Sequence, residues 1–522
     1  MSQLFADRLN LLQEAVPLKL LDQCLHGIER ECLRITSAGQ LAQTPHPIVL
    51  GSALTNDKIT TDYSEALLEF ITPAKPDTSD TLEDLANTHA FVGQNLQDEL
   101  LWSSSMPCQL PDEEHIPIAY FGTSASGMVR HIYRRGLAVR YGRTMQCIAG
   151  IHYNFSLPDA LWPILHKVER SKQDLSFYQS AQYIALIRNF RRFSWLLMYL
   201  FGASPALDES FLKRYPNHQL QRFDKSSFYL PYATSLRMSD LGYQSNAQSG
   251  LTPCYDDLST YIDSLSKAIK TPYPAYERIG TKKDGEWIQL NTNILQIENE
   301  YYSSIRPKRV VKEGERPIQA LRRAGIQYVE VRCMDIDPFM PLGIDETTSY
   351  FLNSFLLYCA MEESSLIIKN QCIAYTDNFL STVKQGRDPA LLLQCDGEQV
   401  LLTDWAKALL DDVAKAAAVL DKASHTDKHS RSVLAQLEKV NNPQLLPSAK
   451  VINSMEEGGL TFAEFSLRQS KLHHDYFNHQ SLAPEVTQQY VKLAEQSVAE
   501  QKRLEDAKSP SLDEYIARYI NG

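Results

Sequence analysis

Acidic residues stand inside short apolar segments whose alternating pattern predicts β-strands. Residues 28–35 alternate as a strand that carries Glu29 and Glu31, which are two positions apart and therefore share a face. Residues 65–72 predict a second strand, and Glu69 lies within its apolar run. Neighbouring or buried carboxylates are costly unless a cation lies among them. The fold must therefore bring these strands to a cation or to water, although each segment alone is also typical of a solvated strand face or a sheet edge.

Two later segments repeat this pattern of a polar face opposite an apolar one. Residues 145–157 predict a strand on which His152 lies in a polar row that suits the lining of a wet cleft. Residues 327–335 predict another strand, with Glu330 and Arg332 on the same face. A single histidine in such a place is also typical of a residue that forms a structural hydrogen bond. The pair Glu330 and Arg332 is also typical of an ordinary surface ion pair. Neither segment defines a site by itself.

Taken together, the polar positions form a set of ligands that hard divalent cations prefer. The set comprises Glu29, Glu31, Asp62, Glu69, His152 and Glu330. Carboxylate oxygens suit Mg²⁺, which commonly bridges the phosphates of ATP. Asp62 alone is also typical of a turn cap. The sequence thus predicts a metal site with several acidic ligands.

Phosphate would need another anchor, because the familiar phosphate-binding motifs are missing. The sequence contains neither GxxxxGK[ST] nor GxGxxG, and it also lacks GxSxG and HExxH. Three cations, Arg306, Lys308 and Arg309, lie on a Pro-containing segment after a predicted strand at 290–298. Arginine binds phosphate in bidentate fashion and lysine as a point charge, so this predicted loop suits phosphate. Such a run of charge is also typical of a solvated surface.

The order of the elements favours an α+β fold with an antiparallel sheet. Predicted strands and helices do not alternate in a βαβ rhythm. Helical spacing occurs at 5–26, 80–101, 172–201 and 256–270. After about residue 345 the strand signals fade, and the helical segments are 347–365, 403–422, 428–440, 485–508 and 511–520. We expect a catalytic α+β region at 1–370 and a mainly helical region at 371–522, packed on or beside the sheet.

Charge and cysteine usage narrow the function classes. With 52 Lys and Arg against 63 Asp and Glu, the formal net charge of −11 argues against general binding to nucleic acid or to anionic membranes. The nine cysteines are scattered without a CxxC, so neither a disulfide framework nor a structural zinc site is indicated. Cys372 and Cys395 are expected to be free thiols. The cluster His473, His474 and His479 is expected to lie at the surface.

No segment predicts a membrane anchor or a secretory signal. The longest apolar run, Trp195–Phe201, is far shorter than the roughly 20 residues that cross a bilayer. The first residues lack a basic stretch followed by an apolar core. A cytoplasmic protein is therefore expected.

Six blocks of sequence carry a wider resemblance. They are IERE at 28–31, TTD at 60–62 with EALLEFITP at 65–73, GIHYNFS at 150–156, LPYATSLRMSDLGY at 230–243, LQIENE at 295–300 with IRPKR at 305–309, and YVEVR at 328–332. In this order and spacing they closely resemble the proteobacterial glutamate–cysteine ligases (γ-glutamylcysteine synthetases) over roughly residues 20–350.

The resemblance implies an activity and a fold. Members of the family use ATP to join the γ-carboxyl of L-glutamate to the amine of L-cysteine through a γ-glutamyl phosphate, the first step of glutathione biosynthesis. Mg²⁺ or Mn²⁺ is the implied metal, and the implied partners are these small molecules rather than nucleic acid or membranes, with a monomeric chain. The implied fold is an antiparallel sheet that forms a funnel, as in glutamine synthetase and the guanidino kinases.

The matching motifs also imply roles for single residues. The five carboxylates and the histidine given above resemble the metal ligands. Arg332 resembles the arginine that stabilises the transferring phosphoryl group, and Arg237 the residue that holds a substrate carboxylate, with Gln146 and Ile148 near the glutamate. The implied contacts to ATP are Arg306, Lys308 and Arg309. The implied cysteine pocket comprises Tyr63, Tyr133, Leu137, Tyr243 and Tyr302.

Three other interpretations share part of this pattern. A related carboxylate–amine ligase with another amine acceptor would keep the ATP and metal residues and differ in the tyrosine-lined pocket. A metal-dependent phosphohydrolase would need the carboxylate cluster and no amine. A protein that only binds metal or nucleotide is least favoured by the dense polar strand faces. The dependence of ATP cleavage on each substrate separates them.

Overall fold

A central antiparallel sheet organises the chain in the computed structural model, which describes residues 2–242, 247–248, 251, 253, 255–312, 314–508 and 510–521. The strands are β1 (Leu25–Thr36), β2 (Ile59–Thr61), β3 (Leu67–Ile71), β4 (Glu99–Leu101), β5 (Ile151–Ser156), β6 (Ala206–Asp208), β7 (Gln221–Arg222), β8 (Ser227–Tyr229), β9 (Lys282–Lys283), β10 (Glu286–Trp287), β11 (Ile305–Lys308), β12 (Tyr328–Met334), β13 (Leu392–Cys395) and β14 (Glu398–Leu401). The α-helices are α1 (Gln3–Leu12), α2 (Ala15–Leu21), α3 (Thr78–Asn95), α4 (Ala125–Tyr141), α5 (Leu161–Val168), α6 (Leu175–Phe193), α7 (Trp195–Phe201), α8 (Leu258–Lys270), α9 (Pro274–Ile279), α10 (Pro317–Ala324), α11 (Glu346–Met361), α12 (Lys369–Gln385), α13 (Leu402–Ser424), α14 (Lys428–Asn441), α15 (Pro447–Gly458), α16 (Phe462–Asn478), α17 (Pro484–Asp506) and α18 (Leu512–Asn521).

The main sheet lines up polar residues from strands that are distant in sequence. Its order is β11-β12-β5-β1-β3-β2, β4 pairs with the C-terminal end of β1, and all these pairs are antiparallel. The register sets Glu31 of β1 opposite Glu69 and Glu29 opposite His152. It also sets Glu330 of β12 opposite Asn154 of β5. A polar row therefore crosses four neighbouring strands, and the predicted α+β fold with an antiparallel sheet is confirmed.

Several predicted elements are shorter than their sequence pattern. The helix predicted over 5–26 is two helices, α1 and α2, and its last residues belong to β1, which begins at Leu25. The helix predicted over 80–101 ends at Asn95, and β4 follows. In both places pairing with the sheet overrides local helical spacing.

Two predicted strands are wrong in part or in whole. The strand predicted over 145–157 begins only at Ile151, since Met145–Cys147 form a 3₁₀ turn. The strand predicted over 290–298 does not form. There the Gln296 Oε1 accepts from the amide of Leu290 at 2.9 Å, and Asn291 Nδ2 donates to the Gln296 carbonyl at 2.9 Å. Such local side-chain bonds to the backbone replace the bonds of a sheet.

Three strands, β11, β13 and β14, form where the sequence predicts a loop or a mainly helical region. The cations at 306–308 lie on the edge strand β11 rather than on a loop, and Pro307 is tolerated there because an edge strand leaves one side unpaired. The hairpin β13–β14 interrupts the helical third. Its turn is Asp396-Gly397, with φ of 50° and 92°, and Asp-Gly is a strong hairpin signal.

Helices from the last third pack directly on the earlier part of the chain. α13 and α14 pack against α11, and α16 packs against α3, β4 and β6. Cys372 and Cys395 are both free thiols, as predicted. Within the described part of the chain, none of the helices combines the length and the apolar character that a membrane crossing requires.

Candidate functional site

A cavity of about 470 Å³ opens on one face of the main sheet. Its lining includes all six residues predicted to bind metal: Glu29, Glu31, Asp62, Glu69, His152 and Glu330. Four of the strands contribute these side chains, and Asp62 follows β2 directly. The antiparallel register thus collects into one place carboxylates that are up to three hundred residues apart in sequence.

The His152 imidazole stands between two groups of carboxylates. On one side its Nδ1 lies 3.1 Å from Glu29 Oε2 and 4.0 Å from Glu330 Oε1. On the other side its Nε2 lies 3.7 Å from Glu31 Oε1, and Glu69 completes that group. His152 thus belongs to two triads, a first with Glu29 and Glu330 and a second with Glu31 and Glu69. In each triad one ligand atom from every residue lies within 4.8 Å of the others.

The two triads differ in how their charge is balanced. Burial and the charge of Glu330 oppose ionisation of Glu29, but the His152 hydrogen bond and Lys308 outweigh them and lower the pKa of Glu29. Burial likewise opposes ionisation of Glu330, yet Lys308 and Arg332 hold its pKa well below the usual range. These two carboxylates are ionised with protein cations beside them.

Among the described residues, neither carboxylate of the second triad forms an ion pair with an arginine or a lysine, although Arg332 acts on both from a greater distance. Burial, and then the charges of Glu29 and Asp62, raise the pKa of Glu69 well above its usual range. Burial also raises the pKa of Glu31, against the opposing effect of His152. Among the described residues Glu69 forms no ion pair, so an external cation would stabilise the ionised form of this triad. The donor set of carboxylate oxygens and one imidazole fits a hard divalent cation such as Mg²⁺.

Cations line the β11–β12 side of the cavity. Arg332 Nη1 and Lys308 Nζ each lie 3.1 Å from Glu330, and Arg306 of β11 also lines the wall. Arg309 does not reach the cavity lining, since it lies beyond the end of β11 and its Nε donates to the Gly325 carbonyl at 2.5 Å. Two of the three cations predicted to contact ATP therefore face the site.

The α4 helix forms the opposite wall and adds residues that the sequence reasoning missed. The predicted pocket residues Tyr133 and Leu137 share this wall with Arg130, Arg134 and Tyr141. Their spacing of three or four residues is that of one helix face, so helical periodicity applied from Tyr133 would have found them. The Arg134 Nη2 lies 4.0 Å from Asp62 Oδ1, which ties this helix to the acidic end.

Of the other predicted substrate residues, three line the cavity: Tyr63, Gln146 and Tyr302. Tyr63 is 1% exposed and its hydroxyl has no hydrogen-bond partner among the described residues. Ile148 is fully buried and lies outside the lining, because it ends the 3₁₀ turn with its side chain in the core. Tyr243 lies outside the described residues.

Arg237 lies behind the cavity rather than in its wall. Its Nη2 donates to the Arg332 carbonyl at 2.9 Å, and its Nη1 lies 3.6 Å from Asp335 Oδ1. It lines a neighbouring cavity of about 210 Å³, and Tyr302 lines both. Arg237 thus contacts the strand that carries Arg332.

The C-terminal helix α18 supplies a further wall residue, Tyr519, from a region to which no role had been assigned. Ile516 packs with Val129 and Ile132 of α4, and Arg316 Nη1 donates to the Tyr519 carbonyl at 3.4 Å. Nothing in the local sequence signals this contact, which depends on how the chain returns from α17.

The comparisons with known proteins agree on one family. The model described as glutamate–cysteine ligase matches residues 9–382. The glutamate–cysteine ligases of Pseudomonas paraeruginosa (strain PA7) and Pseudomonas putida (strain W619) are 60% and 61% identical over 519 residues, covering 99% of this chain and 98% of each of theirs. A crystal structure of glutamate–cysteine ligase from Francisella tularensis in complex with AMP has a TM-score of 0.90 at 38% identity, covering 96% of this chain and 98% of that one. The similarity therefore includes the helical third.

Proposed function

The chain belongs to the glutamate–cysteine ligase family, and from that premise we propose how its cavity carries out the reaction. The enzyme joins L-glutamate to L-cysteine, the first step of glutathione biosynthesis. We assign ATP as the activating substrate, and the AMP bound to the Francisella tularensis relative supports this. The observation that carries the residue assignments is the pair of triads that share His152, each with two carboxylates on one side of its ring.

The proposed route has two steps. An oxygen of the glutamate γ-carboxylate attacks the γ-phosphorus of ATP, so that ADP leaves and γ-glutamyl phosphate forms. The cysteine amine then attacks the γ-carbonyl carbon, phosphate leaves, and the amine loses a proton. Activation is required because a free carboxylate is a poor acylating agent.

We propose that the two triads, with Asp62, hold Mg²⁺ or Mn²⁺. When bound, such ions neutralise phosphate charge and align the reacting groups. Glu69 and Glu31 would be the ligands most dependent on the ion, because burial raises the pKa of both despite the charge of Arg332. His152 would orient both groups through its two nitrogens.

The cations of β11 and β12 would bind the phosphates. Arg332, fixed by Glu330 at 3.1 Å, would donate to the phosphoryl group as negative charge develops on it. Arg306 and Lys308 would contact the nucleotide. Arg309 points away, so we give it a lesser role than its neighbours.

The amino-acid substrates would lie towards α4. Gln146 would contact the glutamate, and Tyr63, Tyr133, Leu137 and Tyr302 would surround the cysteine, as the resemblance implies; Ile148, Tyr243 and Arg237 complete that implied set. The Arg237 guanidinium packs against Gly150, whose amide donates to Glu31 at 2.7 Å. Because Arg237 lines the neighbouring cavity and not the main one, a substrate carboxylate that it held would lie on that side, behind the acidic end.

We also propose the larger features that the resemblance implies. The antiparallel sheet with its site on one face would correspond to the funnel of glutamine synthetase and the guanidino kinases. Residues 1–370 would be the catalytic region and 371–522 a helical region integrated with it, which the contact of Tyr519 with the cavity supports. A cytoplasmic monomer is the expected state.

Release of ADP tests the reaction directly. Purified enzyme is given ATP and Mg²⁺ with glutamate alone, cysteine alone, both, or neither, and the dipeptide is identified by mass spectrometry. ADP release that needs both amino acids, with γ-glutamylcysteine as product, is expected. Release that is unchanged without cysteine would contradict the ligase and favour a phosphohydrolase.

The metal assignment has its own measurement. Removal of divalent metal by a chelator should stop dipeptide formation, and added Mg²⁺ should restore it. Titration of the metal-free enzyme with Mn²⁺, followed by electron paramagnetic resonance, should show tight binding that Glu69→Gln weakens. The exposed Glu398→Gln serves as the matched control. Equal Mn²⁺ binding by the two variants would reject the proposed role of Glu69.

A further inference from the structure

Arg30 is a buried cation on the opposite side of β1 from the cavity, and among the described residues no carboxylate pairs with it. It lies between Glu29 and Glu31, and alternate residues of a strand face opposite sides. Arg30 is 2% exposed, and its Nε and Nη1 have no hydrogen-bond partner among the described residues. The thiol of Cys32, two positions along the same side, is hydrogen-bonded to Arg30 but is neutral, since burial raises the pKa of Cys32 to about 11.

Arg34 shows how this fold treats an equally buried arginine on the same side of the strand. It is 0% exposed and forms an ion pair with Glu99. Its Nη1 donates to Thr44 Oγ1 at 2.6 Å, and its Nη2 donates to the carbonyls of Thr44, Pro45 and Glu65 at 2.8–3.1 Å. A buried guanidinium is costly without such compensation. The protein supplies it to Arg34 and not to Arg30.

A small second cavity adjoins Arg30. Its volume is about 20 Å³, and its lining includes Arg30, His89, Ser103, Ser470 and His473 but no carboxylate. His89 is 1% exposed, and its Nε2 also lacks a partner among the described residues. His473, which was expected at the surface, is half-buried, and its Nε2 is hydrogen-bonded to the Pro338 carbonyl. Buried nitrogen atoms of Arg30 and His89 that lack hydrogen-bond partners thus border one small space.

We propose that this Arg30 cavity binds a monatomic anion, chloride under ordinary salt conditions, against the Arg30 guanidinium and the His89 imidazole. The volume holds about one water-sized particle, so phosphate and sulfate are too large. Water would fill the space but leave the buried charge uncompensated. A chloride ion supplies both the size and the sign that the site requires.

The anion would act on the strand that carries the acidic residues of the main cavity. Glu29 and Glu31 flank Arg30 in β1, and Phe70 and Ile151 are its register partners in β3 and β5. Compensating Arg30 would hold the centre of the sheet in place. This inference stands on the Arg30 cavity alone and does not depend on the proposed substrate roles.

Bromide replaces chloride and can be located by its anomalous scattering. Crystals of the full chain grown or soaked in sodium bromide should give an anomalous peak in the Arg30 cavity, in contact with the guanidinium. In solution, the thermal midpoint Tm should be higher in sodium chloride or bromide than in sodium gluconate at equal ionic strength, because binding to the folded state stabilises it. Arg30→Met should abolish both effects.

Two further variants keep the test decisive. Arg34→Met should lower Tm but keep the chloride-dependent rise, since Arg34 does not border the cavity. His89→Phe preserves the ring that packs between Phe70 and Phe477 and should reduce the rise, which serves if Arg30→Met does not fold. A wild-type crystal with bromide peaks elsewhere only, or equal Tm in chloride and gluconate, would overturn the proposal.

Discussion

The two faces of β1 bury charge under different rules. On the front face, which lines the main cavity, Glu29 and Glu31 stand among other carboxylates. Burial raises the pKa of both carboxylates in one of the two triads despite the charge of Arg332. On the rear face, Arg34 is surrounded by an ion pair and several carbonyl oxygens. Both faces belong to one strand, so the local sequence does not show which of its buried charges have partners.

The difference separates charge kept for stability from charge kept for chemistry. A buried ion with an ion pair and several hydrogen-bond acceptors holds the fold together, as Arg34 does. A buried ion without partners destabilises the protein unless something from solution completes it. The front face is therefore where we propose that metal binds, and Arg30 is the rear-face residue for which we propose a bound anion.

The largest expected effect comes from the front face. Glu29→Gln and Arg332→Ala should each lower kcat by about 10³-fold, or about 4 kcal/mol, because each removes charge that is required as phosphoryl transfer proceeds. Dipeptide formation at saturating substrates measures this, with circular dichroism to verify folding. Glu398→Gln, on an exposed hairpin, should remain as active as wild type. Near-normal turnover of either variant would reject the front-face assignment.

A change on the rear face should lower stability and leave turnover unchanged. Arg34→Met leaves Glu99 without its partner and should lower the free energy of unfolding by about 3 kcal/mol, as breaking a buried pair does. Turnover per folded molecule should stay near wild type, because Arg34 is absent from the cavity lining. Urea unfolding followed by fluorescence measures the free energy of unfolding. Dipeptide formation divided by the concentration of folded enzyme measures the turnover. A large loss of turnover with unchanged stability would remove the contrast between the faces.

Much of the front face was predictable, and the reason is its periodicity. Glu29, Glu31, Glu69, His152 and Glu330 lie in strand patterns with an apolar opposite face, so alternation predicts the polar face of each strand. That these faces meet on one side of the sheet depends on the strand register. The α+β class with an antiparallel sheet was predictable for the same reason, since the strands of the main sheet alternate between apolar and polar residues.

What the sequence did not predict depends on long-range contacts. The sequence does not show that Arg34 has an acidic partner while Arg30 has none. The partners of Arg34, Glu99 and Thr44, approach it only in the folded chain. Tyr519 reaches the cavity from the end of the chain. The Asp396-Gly397 hairpin is an exception, since its turn signal is present in the local sequence.

A smaller effect should distinguish the cations next to the front face. Arg306→Met should raise KM for ATP by about tenfold, or about 1.4 kcal/mol, because Arg306 lines the cavity. Arg309→Met should change KM by less than about twofold, since its guanidinium faces the Gly325 carbonyl. Initial rates at varied ATP measure both. If the two variants behave alike, the phosphates bind beyond the end of β11, and the front face extends further than the cavity lining indicates.

The smallest expected effect concerns the part of the front wall that comes from the C-terminal helix. Tyr519 is half-buried, and its neighbours in the lining include Val311 and Pro317, which follow the cations of β11. Tyr519→Ala should therefore raise KM for ATP by about threefold while leaving kcat and the KM values for the amino acids near wild type, because only contact with the outer part of the nucleotide is lost. Tyr519→Phe keeps the ring and should match wild type. If Tyr519→Ala instead lowers kcat, α18 helps to orient the reacting groups themselves. The charged residues of the front face would then be positioned by the C-terminal helix as well as by the sheet.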